Sequence, residues 1–138
     1  SMPISFYRTH YAHFEYIAPC SNKRVRRMME TPDILVLLSI VEGRALVQQE
    51  ALSCVLPLLV TPNAGGEDLV EDGRTGFLVP IRKPQALAEK IEWFGDHRTE
   101  LPEMRKLCRE KARAYPWTNY AQQIINFCLR NKSGRTDT

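Results

Sequence analysis

The sequence has 138 residues, 43% hydrophobic and 25% charged, which is the range of one globular domain and excludes a disordered or fibrous chain. A formal net charge of +3 is too small to mark a nucleic-acid or membrane surface by itself. Cys20, Cys54, Cys108 and Cys128 show no CxxC and no zinc-like spacing with histidine, and no apolar run approaches the roughly 20 residues that span a bilayer. The expectation is a soluble, cytoplasmic chain with free thiols and no metal, large enough to form a core without disulfides. Ser1-Met2 reads as a cleavage scar, which would make this a domain cut from something longer.

Phe14 to Ala18 is an aromatic and branched run closed by Pro19 and predicts a strand, after which Ser21 or Asn22 caps a helix to about Met29. Ile34 to Ser39 is almost continuously apolar and predicts a central parallel strand buried on both faces. Gly43 breaks that pattern, and Arg44 to Cys54 is rich in helix formers, with Leu46, Val47, Ala51 and Cys54 as its apolar positions. Leu56 to Thr61 repeats the buried-strand composition, with Pro57 at its start. Asn63 to Gly66 is a loop leading into a short helical stretch at Glu67 to Val70. Asp72-Gly73 marks a turn, and Gly76 to Pro80 reads as a fourth strand.

Beyond Pro84 the spacing of Leu87, Ile91 and Phe94, and later of Tyr120, Ile124, Phe127 and Cys128, predicts helices, with Trp93 and Trp117 as packing anchors. Strands alternating with helices give an α/β fold, a Rossmann-like parallel sheet flanked by helices. The domain is drawn over residues 14–130; residues 1–13 are a scar or a remnant of a preceding element, and 131–138 a polar tail expected to be disordered.

In such a sheet a ligand lies beyond the carboxyl ends of the strands, so the loops after residues 18, 39, 61 and 80 are the places for chemistry. After the second predicted strand, Glu42 stands beside Gly43, and Glu50 lies two turns into the next helix, about 12 Å along its axis. That separation suits the two ends of a nucleotide sugar. The helix start between them offers unpaired N–H groups and a positive dipole end to a diphosphate, and Gly43 admits close approach to the backbone. The plainer alternative leaves Glu42 at the helix start and Glu50 in solvent. Gly65-Gly66-Glu67 offers a second glycine loop and helix start toward the same cleft, or a simple turn.

Neither GxGxxG nor GxxxxGK[ST] occurs, which weighs against NAD binding and ATP cleavage. Lys23, Arg24, Arg26 and Arg27 form a basic run read as a solvated face. His10 and His13 lack a third metal ligand nearby.

Taken together, residues from Phe14 to about Arg130 resemble the carboxyl-terminal half of a GT-B glycosyltransferase of the retaining family 4, glycosyltransferase group 1. The segment PDILVLLSIVEGRALVQQEALSCVLPLLVTPNAGGEDLVEDGRTGFLVP follows that family's order: a strand ending in Ser39, the E-x7-E pair Glu42 and Glu50, an EAL helix, a strand, a GG-E loop, and a DG-x-x-G-F-L-V turn and strand. Leu38, Arg44, Ala45 and Val55 stand where the family usually carries proline, phenylalanine, glycine and glycine.

The resemblance implies that Glu50 binds the ribose hydroxyls of a nucleotide-sugar donor and that Glu42 acts as the catalytic carboxylate near the transferred sugar. It places Ser39, Gly43, Arg44, Ala45 and Leu46 around sugar and diphosphate, with Gly65 and Gly66 lining the cleft. The nucleotide sugar is a co-substrate, and no cofactor or metal is implied. An acceptor-binding domain and a basic pair for the diphosphate are expected ahead of this stretch in a longer chain. Base choice would fall to the loop at residues 18 to 22. This chain alone is therefore expected to bind nucleotide weakly and to transfer sugar poorly. Peripheral membrane contact of the longer enzyme stays open. The rival reading is a noncatalytic Rossmann-like module for a sugar nucleotide or a partner protein.

Overall fold

The computed structural model describes Ser5, Thr9, residues 13–43 and residues 45–116. Helix α1 (Asn22–Met28) leads to strand β1 (Leu35–Leu37), helix α2 (Leu46–Ser53), strand β2 (Leu58–Val60), strand β3 (Gly76–Leu78) and helices α3 (Pro84–Asp96) and α4 (Leu101–Ala114). Two single-turn 3-10 helices, Pro62–Ala64 and Glu67–Leu69, lie between β2 and β3. Proline occupies the first turn of both α3 and α4, where its missing N–H costs nothing.

The sheet is parallel in the order β1-β2-β3, with Leu35 opposite Leu58 and Leu58 opposite Gly76. Two expectations change here. Phe14 to Ala18 forms no strand, and Phe14 and Tyr16 are exposed, so the described sheet has three strands rather than four. An extended run needs a neighbouring ladder to become a strand, and none flanks these residues among those described. The Ile34 to Ser39 segment is also not central. Its strand β1 lies at the edge of the described sheet, with Leu35 and Leu37 half-buried and Val36 42% exposed. The continuous apolar run signalled a strand correctly; coverage of both faces belongs to β2, where Leu58, Leu59 and Val60 are all 0% exposed.

Side-chain alternation along β2 divides the core. Leu58 and Val60 pack with Met29, Ala51, Leu52 and Cys108 on one face. Leu59 packs with Phe77, Phe94, Leu101 and Met104 on the other. Helices thus cover both faces, as the α/β pattern predicts. On α3 the buried stripe shifts from the expected one: Ile91 is exposed, while Phe94 is buried and Trp93 packs edge-on against Phe77 at 4.8 Å. Trp93 also stacks on His97, one turn further along, at 4.3 Å. Asp33, ahead of β1, receives Arg98 at 2.8 Å and Arg105 at 3.3 Å, tying the entry of the sheet to α4 and the link before it. No helix among the described residues is long and apolar enough to cross a membrane. The expectations for Arg44, Trp117, the Tyr120 to Cys128 helix and the tail at 131–138 lie outside the described residues.

Candidate functional site

The two loops singled out in the sequence meet at the carboxyl end of the sheet. Three features of the chain bring them together. Parallel pairing puts the ends of β1 and β2 side by side, and Thr61 N–H donates to the Leu37 carbonyl at 3.2 Å. Thr61 Oγ1 then donates to the Ser39 carbonyl at 2.6 Å, and Glu42 N–H to the Asn63 carbonyl at 2.9 Å. Finally the Ala64 carbonyl accepts from Ala45 N–H at 3.4 Å and from Gln48 Nε2 at 2.8 Å. The loop after β1, the start of α2 and the Pro62–Ala64 turn form one hydrogen-bonded unit.

Within it, Ser39 Oγ donates to Glu42 Oε2 at 2.6 Å, which holds this exposed carboxylate against the end of β1. Gly43 is exposed, and the space where a side chain would stand is open to beyond 4 Å. Ala45 is the buried N-cap residue of α2, and Leu46, the first helical residue, is 51% exposed. Ala45 N–H, which the resemblance places near the diphosphate, is engaged with Ala64. The first N–H groups of a helix generally lack intrahelical acceptors, and Leu46 and Val47 open α2. Gly65 adopts the left-handed conformation, and Gly66 is buried.

Glu50 is exposed and stands on the wall of a cleft of about 330 Å³ between α1, α2 and the end of α4, lined also by Arg26, Leu46, Ser53, Ala112 and Tyr115. Arg26 brings a positive charge to this cleft, so the basic run on α1 is not only a solvated face. Among the described residues neither Arg26 nor Glu50 forms an ion pair. A second cavity, of about 240 Å³, opens at the carboxyl ends of all three strands, lined by Leu38, Ile40, Thr61, Val79, Arg82 and Lys83 among others. Glu42, Gly43, Gly65 and Gly66 line neither cavity. The structure therefore joins Ser39, Glu42, Ala45 and the Gly65–Gly66 turn into one unit, and sets Glu50 beside it with Leu46 as the shared wall.

Sequence reading missed Gln48 and Thr61, whose side chains fasten the two loops. A signal for Gln48 was present: it shares a helix face with Ala51 and Leu52 at i+3 and i+4, and both are core residues. No group of three or more His, Cys, Asp or Glu suited to a metal occurs among the described residues.

The sequence profile described as "Glycosyl transferases group 1" matches residues 10–115. A protein of Salmonella typhimurium named for colanic acid biosynthesis, glycosyltransferase WcaL, is 34% identical over 110 residues, covering 74% of this chain and 26% of its own. Sucrose-phosphate synthase from Thermosynechococcus elongatus superposes with a TM-score of 0.78 at 20% identity, over 95% of this chain and 34% of that one. Anabaena HepE in complex with UDP superposes at 0.63 with 22% identity, over 75% of this chain and 29% of that one. These structures share the fold, and the chain spans about a quarter of the length of the curated relative. With its parallel sheet, flanking helices and E-x7-E helix start, the chain belongs to the glycosyl transferases group 1 family.

Proposed function

We propose that this chain is the donor-side domain of a nucleotide-sugar-dependent, retaining glycosyltransferase. One observation carries the reading: the open backbone at Gly43, the start of α2 at Leu46 and the cleft wall at Glu50 follow one another along a single helix start. A diphosphate is the group that such a helix start receives, because its N–H groups and dipole end favour negative charge without a metal. Glu50, two turns further along, accepts hydrogen bonds from the ribose hydroxyls. The base extends toward Arg26 and the loop at residues 18 to 22. Glu42, oriented by Ser39, accepts from a hydroxyl of the transferred sugar at the other end.

In the reaction the acceptor oxygen bonds to the anomeric carbon and the bond from that carbon to the diphosphate breaks, with the acceptor proton passing to the departing diphosphate. The α2 start stabilises the charge developing on that leaving group. An acceptor-binding domain completes the cleft and excludes water, so the isolated chain binds nucleotide weakly and transfers little sugar. The relative named for colanic acid biosynthesis supports an acceptor in cell-surface polysaccharide or glycoconjugate synthesis. The UDP in the HepE complex supports a nucleoside diphosphate as the leaving group.

The test is titration of the isotopically labelled chain with UDP, GDP and ADP into the millimolar range, followed by NMR, with and without Glu50→Ala. Loss of a hydrogen-bonded carboxylate should weaken the preferred nucleotide about tenfold. Equal affinity of the variant overturns the donor site. Nucleotide binding with no transfer by any longer form of the protein favours a noncatalytic binding module.

A further inference from the structure

Gln48 stands in the first turn of α2 with its side chain 0% exposed. Nε2 donates to the Ala64 carbonyl at 2.8 Å, while Oε1 is buried without a hydrogen-bond partner among the described residues. Burying an acceptor that nothing satisfies is unfavourable, so as core filling a leucine of similar volume serves better. The position is explained by what the carboxamide touches.

The turn beside it carries two glycines for two different reasons. Gly65 sits at φ 68°, ψ 31°, a backbone state that side chains rarely adopt. Gly66 sits at φ −137°, ψ 27°, open to other residues, but a Cβ there would overlap the carboxamide of Gln48. Gly66 thus leaves room for the Gln48 carboxamide, which a side chain at this position would displace, whereas its own backbone makes no demand for glycine. Without the Gln48 amide, the Ala64 carbonyl keeps only the longer bond from Ala45 at 3.4 Å.

We propose that Gln48 is a positioning residue, whose carboxamide fastens the Gly65–Gly66 turn to the first turn of α2 and so sets how the α2 start, which receives the donor, is braced against the loop behind it. The proposal rests on the donor-site reading above. It predicts that loop geometry and nucleotide affinity depend on Gln48 more than stability does.

Gln48→Leu in the 138-residue chain separates these quantities, with Gln48→Met as an unbranched second variant should leucine not pack. Thermal unfolding should change little, since one hydrogen bond and one unsatisfied acceptor are removed together. Amide hydrogen exchange of Ala64, Gly65 and Gly66 should accelerate about fivefold or more, and UDP affinity should fall by a similar factor. A variant that folds and binds UDP like the parent overturns the proposal. If the parent itself binds none of UDP, GDP and ADP, the donor reading fails. Hydrogen exchange then decides alone: unchanged exchange overturns the fastening, and accelerated exchange upholds it as a coupling between loop and helix.

Discussion

Val55 N–H donates to the Leu52 carbonyl at 3.0 Å and Leu56 N–H to the Ala51 carbonyl at 2.9 Å, which closes α2 in a Schellman motif with Val55 at the left-handed position. Its φ is 58°, and a β-branched residue there is strained.

Replacing this residue should therefore stabilise the chain. The left-handed state costs a side-chain-bearing residue about 1–2 kcal/mol, partly offset by the greater unfolded-state freedom of glycine. Val55→Gly should raise the melting temperature by about 2–5 °C. A fall in melting temperature by differential scanning calorimetry would contradict the strain.

A second relationship sets an acid limit. Lys111 Nζ on α4 lies 2.7 Å from Glu71 Oε1 in the turn before β3, and that hydrogen bond, with the charge of Lys111, holds the Glu71 carboxyl below its ordinary 4.5. A depressed folded-state value contributes stability that is complete above the ordinary value and is lost as pH falls through the folded one. Lys111→Met should lower the melting temperature at pH 7 by a few degrees, about what a partly exposed pair contributes. The gap between parent and variant should narrow steadily below pH 4.5. A gap independent of pH would assign the loss to packing of the lysine stem instead.

Cys108 is 0% exposed against the sheet, and burial pushes its thiol up to about 12, with Sγ 3.7 Å from the Thr75 carbonyl. The thiolate is the reactive form, so native Cys108 should resist alkylation at pH 8. Mass spectrometry after iodoacetamide treatment should find it modified only once denaturant is added, while half-buried Cys20 and Cys54 react earlier. Rapid native labelling of Cys108 would show that α4 opens away from the sheet.

Much of this architecture is legible from residue order. The apolar run Leu58 to Val60, the helix formers after Gly43 and the Pro84 start of α3 each act locally, through burial, propensity and fixed φ, so their elements fall close to where the sequence puts them. What fails is non-local. Whether Phe14 to Ala18 pairs, and whether Val36 is covered, depends on which strand lies alongside, and a single run of side chains does not encode its neighbour. The site divides in the same way. Ser39, Glu42 and Glu50 are marked by chain position at a strand end and along a helix. The Thr61 and Gln48 bonds that join the loops arise only when β1 and β2 align.

Parallel register has one more consequence. Leu35 pairs with Leu58 and Leu58 with Gly76, so every rung of the ladder waits for an intervening helix or a pair of turns to be threaded. Among the described strands no hairpin is available to nucleate the sheet. During synthesis on the ribosome the apolar β1 segment emerges well before its mate, and the nascent chain carries that sticky run until β2 follows. Folding of this domain should accordingly be slow for its size, with its yield set by how long the wait lasts.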